Sequence, residues 1–181
     1  MGNGMPRSKD KLKDHPDIYS SGDFPMDIKK LKTKIGKNTK LVLGNINKTI
    51  KEFLKDDFST KPISFISFDL DYFSSTIDSF EVFKSSESNY LPVVQTYFDD
   101  IDDYYYSMKN SKLGVLAAIN QFNKNNKNLL IEKQRLLKNY RLFKNAKWLN
   151  HFFQVHILKH PSRTKNNNLK KQNVVLTNPY F

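Results

Sequence analysis

The stretch PISFISFDLDYFSST, residues 62–76, governs the reading of this chain. After Pro62, an apolar run from Ile63 to Phe68 drives straight into two aspartates, Asp69 and Asp71. A proline-opened run of Ile and Phe this short predicts a buried strand. Along extended chain, residues two apart point to the same side, so Asp69 and Asp71 can reach one site past the strand end. A second predicted strand, YLPVVQTYF at residues 90–98, also ends in two acids, Asp99 and Asp100. In open α/β sheets, ligands bind outside the carboxyl ends of the strands, where both acidic pairs fall.

Carboxylates gathered this closely repel and raise one another's pKa, and a divalent cation relieves the repulsion. The chain has no cysteine, so the donors are oxygens and the expected cation is hard: Mg²⁺, or else Mn²⁺ or Ca²⁺. The competing reading makes these aspartates ordinary loop and cap residues. Asp102 and Asp103 extend the acidic run and fit that reading. Two acidic strand ends together favour a site.

Working along the chain, residues 1–25 carry Gly2, Gly4, Pro6, Pro16, Gly22 and Pro25 among alternating charges and read as an extended loop. Residues 26–35 place apolar side chains at 28, 31 and 35, which predicts a short helix capped by Asp27 and stopped by Gly36. Residues 40–43 (KLVL) read as a short strand ending at Gly44-Asn45, and residues 49–54 as a helical turn or two. Ser74 or Ser75 is expected to cap a helix through Ile77, Phe80 and Phe83. A helix over 113–122, a strand over 128–131 and a last strand over 151–158 complete the pattern. Alternating strands and helices predict an α/β fold with parallel strands. One domain is expected over residues 1–160, with residues 161–181 a polar, basic tail.

At 181 residues the chain can hold one ordinary domain with a proper core. The first residues lack the apolar segment of a signal peptide, and no run approaches the roughly 18 apolar residues of a membrane span. A cytoplasmic location is the default expectation. The net charge of +12 is unevenly spread: residues 1–103 hold 15 Lys and Arg against 17 Asp and Glu, whereas residues 104–181 hold 15 against one, Glu132. Only four of the basic residues are Arg, the residue preferred for bidentate phosphate recognition, and the chain holds 19 Asn. That composition reads first as compositional bias with a solvated basic face, and second as a polyanion site. His156 and His160 stand four apart, but in strand context, so a histidine metal site is disfavoured. The run Tyr104-Tyr105-Tyr106 and the group Trp148, Phe152 and Phe153 read as packing residues.

FDLDYFSST, then YLPVVQTYFDDI, then GVLAAINQFN resemble, in order and spacing, the macrocin-type O-methyltransferases. These are a metal-dependent branch of the class I S-adenosylmethionine methyltransferases. GNGMP and LVLGNINKTIKEFL resemble that family's segments after its second strand and around its third. The resemblance covers roughly residues 1–160. It implies a Rossmann-like sheet with an antiparallel C-terminal strand. It implies Asp69, Asp99 and Asp100 as ligands of Mg²⁺ or another hard cation, and Asp71 as general base. Gly44 and Asn45 fall near the S-adenosylmethionine adenine, with Asn45 where the family usually has aspartate. Tyr72, Ser74 and Ser75 fall at the acceptor pocket, beside Phe73. The implied reaction methylates a hydroxyl of a sugar or other small metabolite.

The family's first two strands and its glycine-rich cofactor turn have no counterpart in the sequence, so an N-terminally truncated, partial fold is expected. Strand 63–68 then becomes a sheet edge. Two other functions compete. A strand ending in DxD also serves metal-dependent glycosyltransferases, although they have no need of the second acidic strand end. A non-catalytic basic module would bind polyanions. The expected partner is the small hydroxyl acceptor, with nucleic acid disfavoured and a homodimer left open.

Overall fold

A computed structural model describes residues 3–14, 18–56, 58, 61–101, 111–135 and 146–164. Strand β1 (Ile63–Phe68) is the apolar run after Pro62, and β2 (Tyr90–Phe98) is the run before Asp99; both match the sequence expectation residue for residue. They pair in parallel, with Phe65 beside Gln95 and Phe68 beside Phe98. Helix α3 (Phe73–Ser79) and a 3-10 turn over Phe80–Lys84 carry the chain between them. Helix α4 (Gly114–Asn125) then leads to β3 (Leu129–Lys133), and β4 (Phe152–Ile157) closes the sheet. The sheet order is β1-β2-β4-β3, with β4 antiparallel to both its neighbours. The architecture is thus α/β with a mixed sheet, in which, among the described residues, only the β1–β2 pair is parallel.

The core lies on one face of this sheet. Phe68, Val94, Phe98, Phe153 and Val155 point into it and meet Phe80, Phe83, Ala118 and Phe122 from the helical layer. Phe68 stacks on Phe98 across the parallel pair, with centroids 4.7 Å apart and an interplanar angle of 10°. The other face is half-open. In β4 the alternation is complete: Phe153, Val155 and Ile157 are buried while Phe152, Gln154 and His156 are only partly covered. This one-sided pattern is that of an antiparallel strand.

Two smaller helices precede the sheet. In α1 (Ile28–Lys34) the Asp27 side chain accepts the Lys30 N–H, as expected of an N-cap. Helix α2 (Ile46–Phe53) is capped by Asn45, and its Ile50 and the following Leu54 pack against the core. Residues 40–43 form no strand. Val42 and Leu43 are exposed, and the sheet supplies them no partner. The expected cap at Ser74 or Ser75 is also corrected: both lie inside α3, whose N-cap residue Tyr72 makes no side-chain capping bond. Trp148 is 44% exposed and not core, whereas Phe153 is buried. Tyr104 to Tyr106, Asp102, Asp103 and most of the C-terminal tail lie outside the described residues.

Candidate metal centre

Both parallel strands end at the same edge of the sheet, and their terminal acids meet there. Oxygen atoms of Asp69, Asp99 and Asp100 all lie within 4.8 Å of one another. Asp69 and Asp99 are exposed and Asp100 is half-buried, so the cluster faces solvent on one side. Asp71 joins them: all four acids line one cavity of about 420 Å³, and Asp71 is hydrogen-bonded to Asp100. The four acidic residues singled out from the sequence therefore converge.

The electrostatics follow from that crowding. Asp100 is pushed up to about 8, first by burial and then by the charges of Asp71, Asp69 and Asp99. Asp69 is also raised, by burial first and then by Asp99 and Asp71. At neutral pH the metal-free cluster thus relieves its own repulsion by keeping a proton. A hard divalent cation would take the place of that proton, and the all-oxygen donor set suits Mg²⁺. The donors fit such an ion.

The turn carrying Asp69 and Asp71 is braced from three sides. The Leu70 N–H donates to Asp100 Oδ2 at 3.2 Å. Thr76 Oγ1, fully buried in α3, donates to the carbonyls of Leu70 at 3.1 Å and Tyr72 at 2.8 Å. The Tyr72 hydroxyl donates to the Tyr19 carbonyl at 3.0 Å. The ionisation of Tyr97, beside Asp99, is pushed up by burial first and by the Asp99 charge next.

Asp14 is a residue the sequence reading passed over. It is fully buried, although it sits in the segment read as an extended loop. Its carboxylate accepts the backbone N–H groups of Lys9, Asp10 and Ser74, and the hydroxyls of Ser8 and Ser74. It thereby supplies the cap that α3 lacks locally, from 60 residues away. Burial alone would raise its pKa, but the hydrogen bonds outweigh burial and hold it below the ordinary carboxylate value. The segment it anchors walls the acid cavity with Met5, Pro6 and Phe24. Gly4 makes this possible. At φ +82° it crosses so close to the chain that a Cβ would lie 2.3 Å from the Gly22 carbonyl oxygen.

The remaining site expectations divide. Tyr72 and Ser75 line the acid cavity, although Tyr72 is almost wholly buried. Ser74 and Phe73 do not line it: Ser74 is occupied by Asp14, and Phe73 is in the core. Gly44 and Asn45 line a separate hollow of about 120 Å³, which shares Gly4, Pro6, Leu70 and Ser75 with the acid cavity. That volume is well under the roughly 300 Å³ of a typical small-molecule pocket. The Asn45 side-chain oxygen is already engaged by the Asn47 N–H at 3.2 Å. Asp78 in the same hollow is ion-paired to Lys9 at 2.5 Å. The described residues there do not fit S-adenosylmethionine.

What the fold and site define is an α/β domain with a carboxylate cluster at the ends of two parallel strands. No protein family model, curated protein or solved structure matches the chain. Among the described residues, no helix is long and apolar enough to cross a membrane.

Proposed function

We propose that this chain carries the metal-binding and acceptor-activating part of an O-methyltransferase-type active site. Asp69, Asp99 and Asp100 would hold a hard divalent cation such as Mg²⁺. An ion held there would supply Lewis-acid chemistry that lowers the pKa of a hydroxyl brought to it. Asp71, which lines the same cavity, would take the hydroxyl's proton as general base. Met5, Pro6 and Phe24 offer an apolar wall to the carbon skeleton of a sugar or other small metabolite. The braced Leu70 turn keeps the acids in position before any ligand arrives.

The observation that carries this reading is the convergence of three carboxylates from two strand ends to within 4.8 Å. The methyl donor, S-adenosylmethionine, enters through the sequence resemblance alone. Gly44 and Asn45 do not build a pocket for it. Calorimetric titration tests the proposal. Mg²⁺ is expected to bind the wild type, to lose its binding in Asp99→Asn, and to leave S-adenosylmethionine binding weak or absent. A wild type that binds no divalent cation, or an Asp99→Asn variant that binds it as well, contradicts the proposal.

A further inference from the structure

Asp99 follows β2 directly, so the last peptide of that strand sets where its side chain starts. The β2–β4 ladder runs in register from Val93 opposite His156 to Tyr97 opposite Phe152, and one step further Phe98 faces His151. There a side chain supplies the rung. His151, the last residue of a 3-10 turn over Lys147–His151, places its Nδ1 2.8 Å from the Phe98 carbonyl oxygen. A carbonyl only accepts, so Nδ1 donates and the neutral ring keeps its proton there. The ring is held for this task. It is 9% exposed, and it lies nearly flat against Tyr97, with centroids 5.3 Å apart and an interplanar angle of 15°. Phe152 meets Tyr97 edge-on at 5.4 Å.

We propose that His151 is a positioning residue of the metal centre: its Nδ1–H fixes the Phe98–Asp99 peptide and so keeps the Asp99 carboxylate beside those of Asp69 and Asp100. The inference rests on the metal-binding reading above. A peptide is planar, so a carbonyl held in place also holds the Asp99 nitrogen and Cα. Asp100 has a tie of its own to the neighbouring strand end, the Leu70 N–H at 3.2 Å. Asp99 is the exposed member of the pair, and its backbone is what aims it. Hydrogen bonds one step behind a metal ligand govern affinity, because they orient the ligand before the ion arrives. His151 thus ties the start of β4 to the metal-facing end of β2, a link between residues 53 positions apart.

Nitrogen-15 NMR of the histidine-labelled wild type reads the ring directly and needs no variant. A proton on His151 Nδ1 is expected, and its resonance should move together with the Asp99 amide as Mg²⁺ is added. Mn²⁺ titration, followed by the electron paramagnetic resonance of the free ion, then compares two substitutions. His151→Phe keeps a ring against Tyr97 and loses the donor. His151→Asn loses the ring and keeps a donor, its Nδ2, where Nδ1 stood. The dissociation constant is expected to rise roughly tenfold in His151→Phe and to stay within about threefold of wild type in His151→Asn. A residue that only packs would give the reverse order. The inference is overturned by a wild-type Nδ1 that lacks the proton or ignores saturating Mg²⁺. It is equally overturned if His151→Phe binds Mn²⁺ as tightly as the wild type, or if His151→Asn binds it more weakly than His151→Phe. A wild type that takes up neither ion contradicts the metal-binding reading itself and removes the inference with it.

Discussion

Asp14 holds Ser74 by two hydrogen bonds, accepting its N–H at 2.7 Å and its hydroxyl at 2.8 Å. This contact fastens the segment that walls the acid cavity to the helix that follows the Asp69–Asp71 turn. Replacing Asp14 with alanine strands three backbone N–H groups, of which Ser74's lies at a helix start. A loss of about 3 kcal/mol is expected, because donors bonded to a buried charged acceptor are costly to abandon. Urea unfolding monitored by circular dichroism measures it. A loss under about 1 kcal/mol, the range of an ordinary cap, would show that the segment is not anchored there.

Asp14 and Asp100 give stability opposite pH dependences. Asp14 has a depressed folded pKa, so its contribution is present above the ordinary carboxylate range and is lost as pH falls through its folded value. Asp100 has a folded pKa raised to about 8, against 3.8 for a free aspartate carboxyl. Between those values the folded protein holds a proton that the unfolded chain does not. Stability of the metal-free protein therefore declines as pH rises through that window. Thermal unfolding of the wild type and Asp100→Asn across this range checks the sign. The asparagine variant is expected to flatten the decline, and an equally steep decline in the variant would exclude Asp100 as its source.

Asp71 contributes to the raised value of Asp100 through its charge and its hydrogen bond. Asp71→Asn removes the charge while keeping a hydrogen-bonding group of the same shape. Carboxyl-carbon NMR titration is expected to show Asp100 titrating at lower pH in the variant. Divalent-cation affinity should change far less than in Asp99→Asn, because Asp71 lies outside the three-carboxylate group. An unmoved Asp100 titration would separate Asp71 from the cluster.

The covered edge of β3 makes its own prediction. Asn123 of α4 donates its Nδ2 to the Ile131 carbonyl and accepts the Ile131 N–H at its Oδ1, both at 2.8 Å, so Asn123→Ala is expected to cost about 2 kcal/mol of stability, at roughly 1 kcal/mol per net hydrogen bond. The freed edge also becomes a template for pairing with other chains. Chemical denaturation reads the first effect and light scattering on heating reads the second. A fully stable variant would mean that water replaces the amide at no cost.

Much of this was legible in residues 62–100. Pro62 and the aspartates bracket two apolar runs so sharply that β1 and β2 could be read without error at either end. Asp27 announced α1 in the same local way, whereas the order of elements pointed to parallel strands throughout, and the antiparallel placing of β4 was implied only by the family resemblance. The failures are non-local. Residues 40–43 have the composition of a strand, but a strand needs a neighbour, and no strand among the described residues pairs with them. Ser74 and Ser75 look like caps, yet the acceptor at the start of α3 comes from Asp14. Nothing in a loop of alternating charges marks one aspartate as buried. The four acids of the cavity were found because each stands at the end of a strand. Thr76, Tyr97 and Phe24 were not found, because their roles arise only once the strands are side by side.

Crystals of the protein soaked in Mn²⁺ and measured at the manganese absorption edge would locate the ion itself. The proposal expects one anomalous peak among the carboxylates of Asp69, Asp99 and Asp100, absent from Asp99→Asn crystals treated in the same way. A protein that takes up no manganese at those three side chains, or holds it only elsewhere, would contradict it.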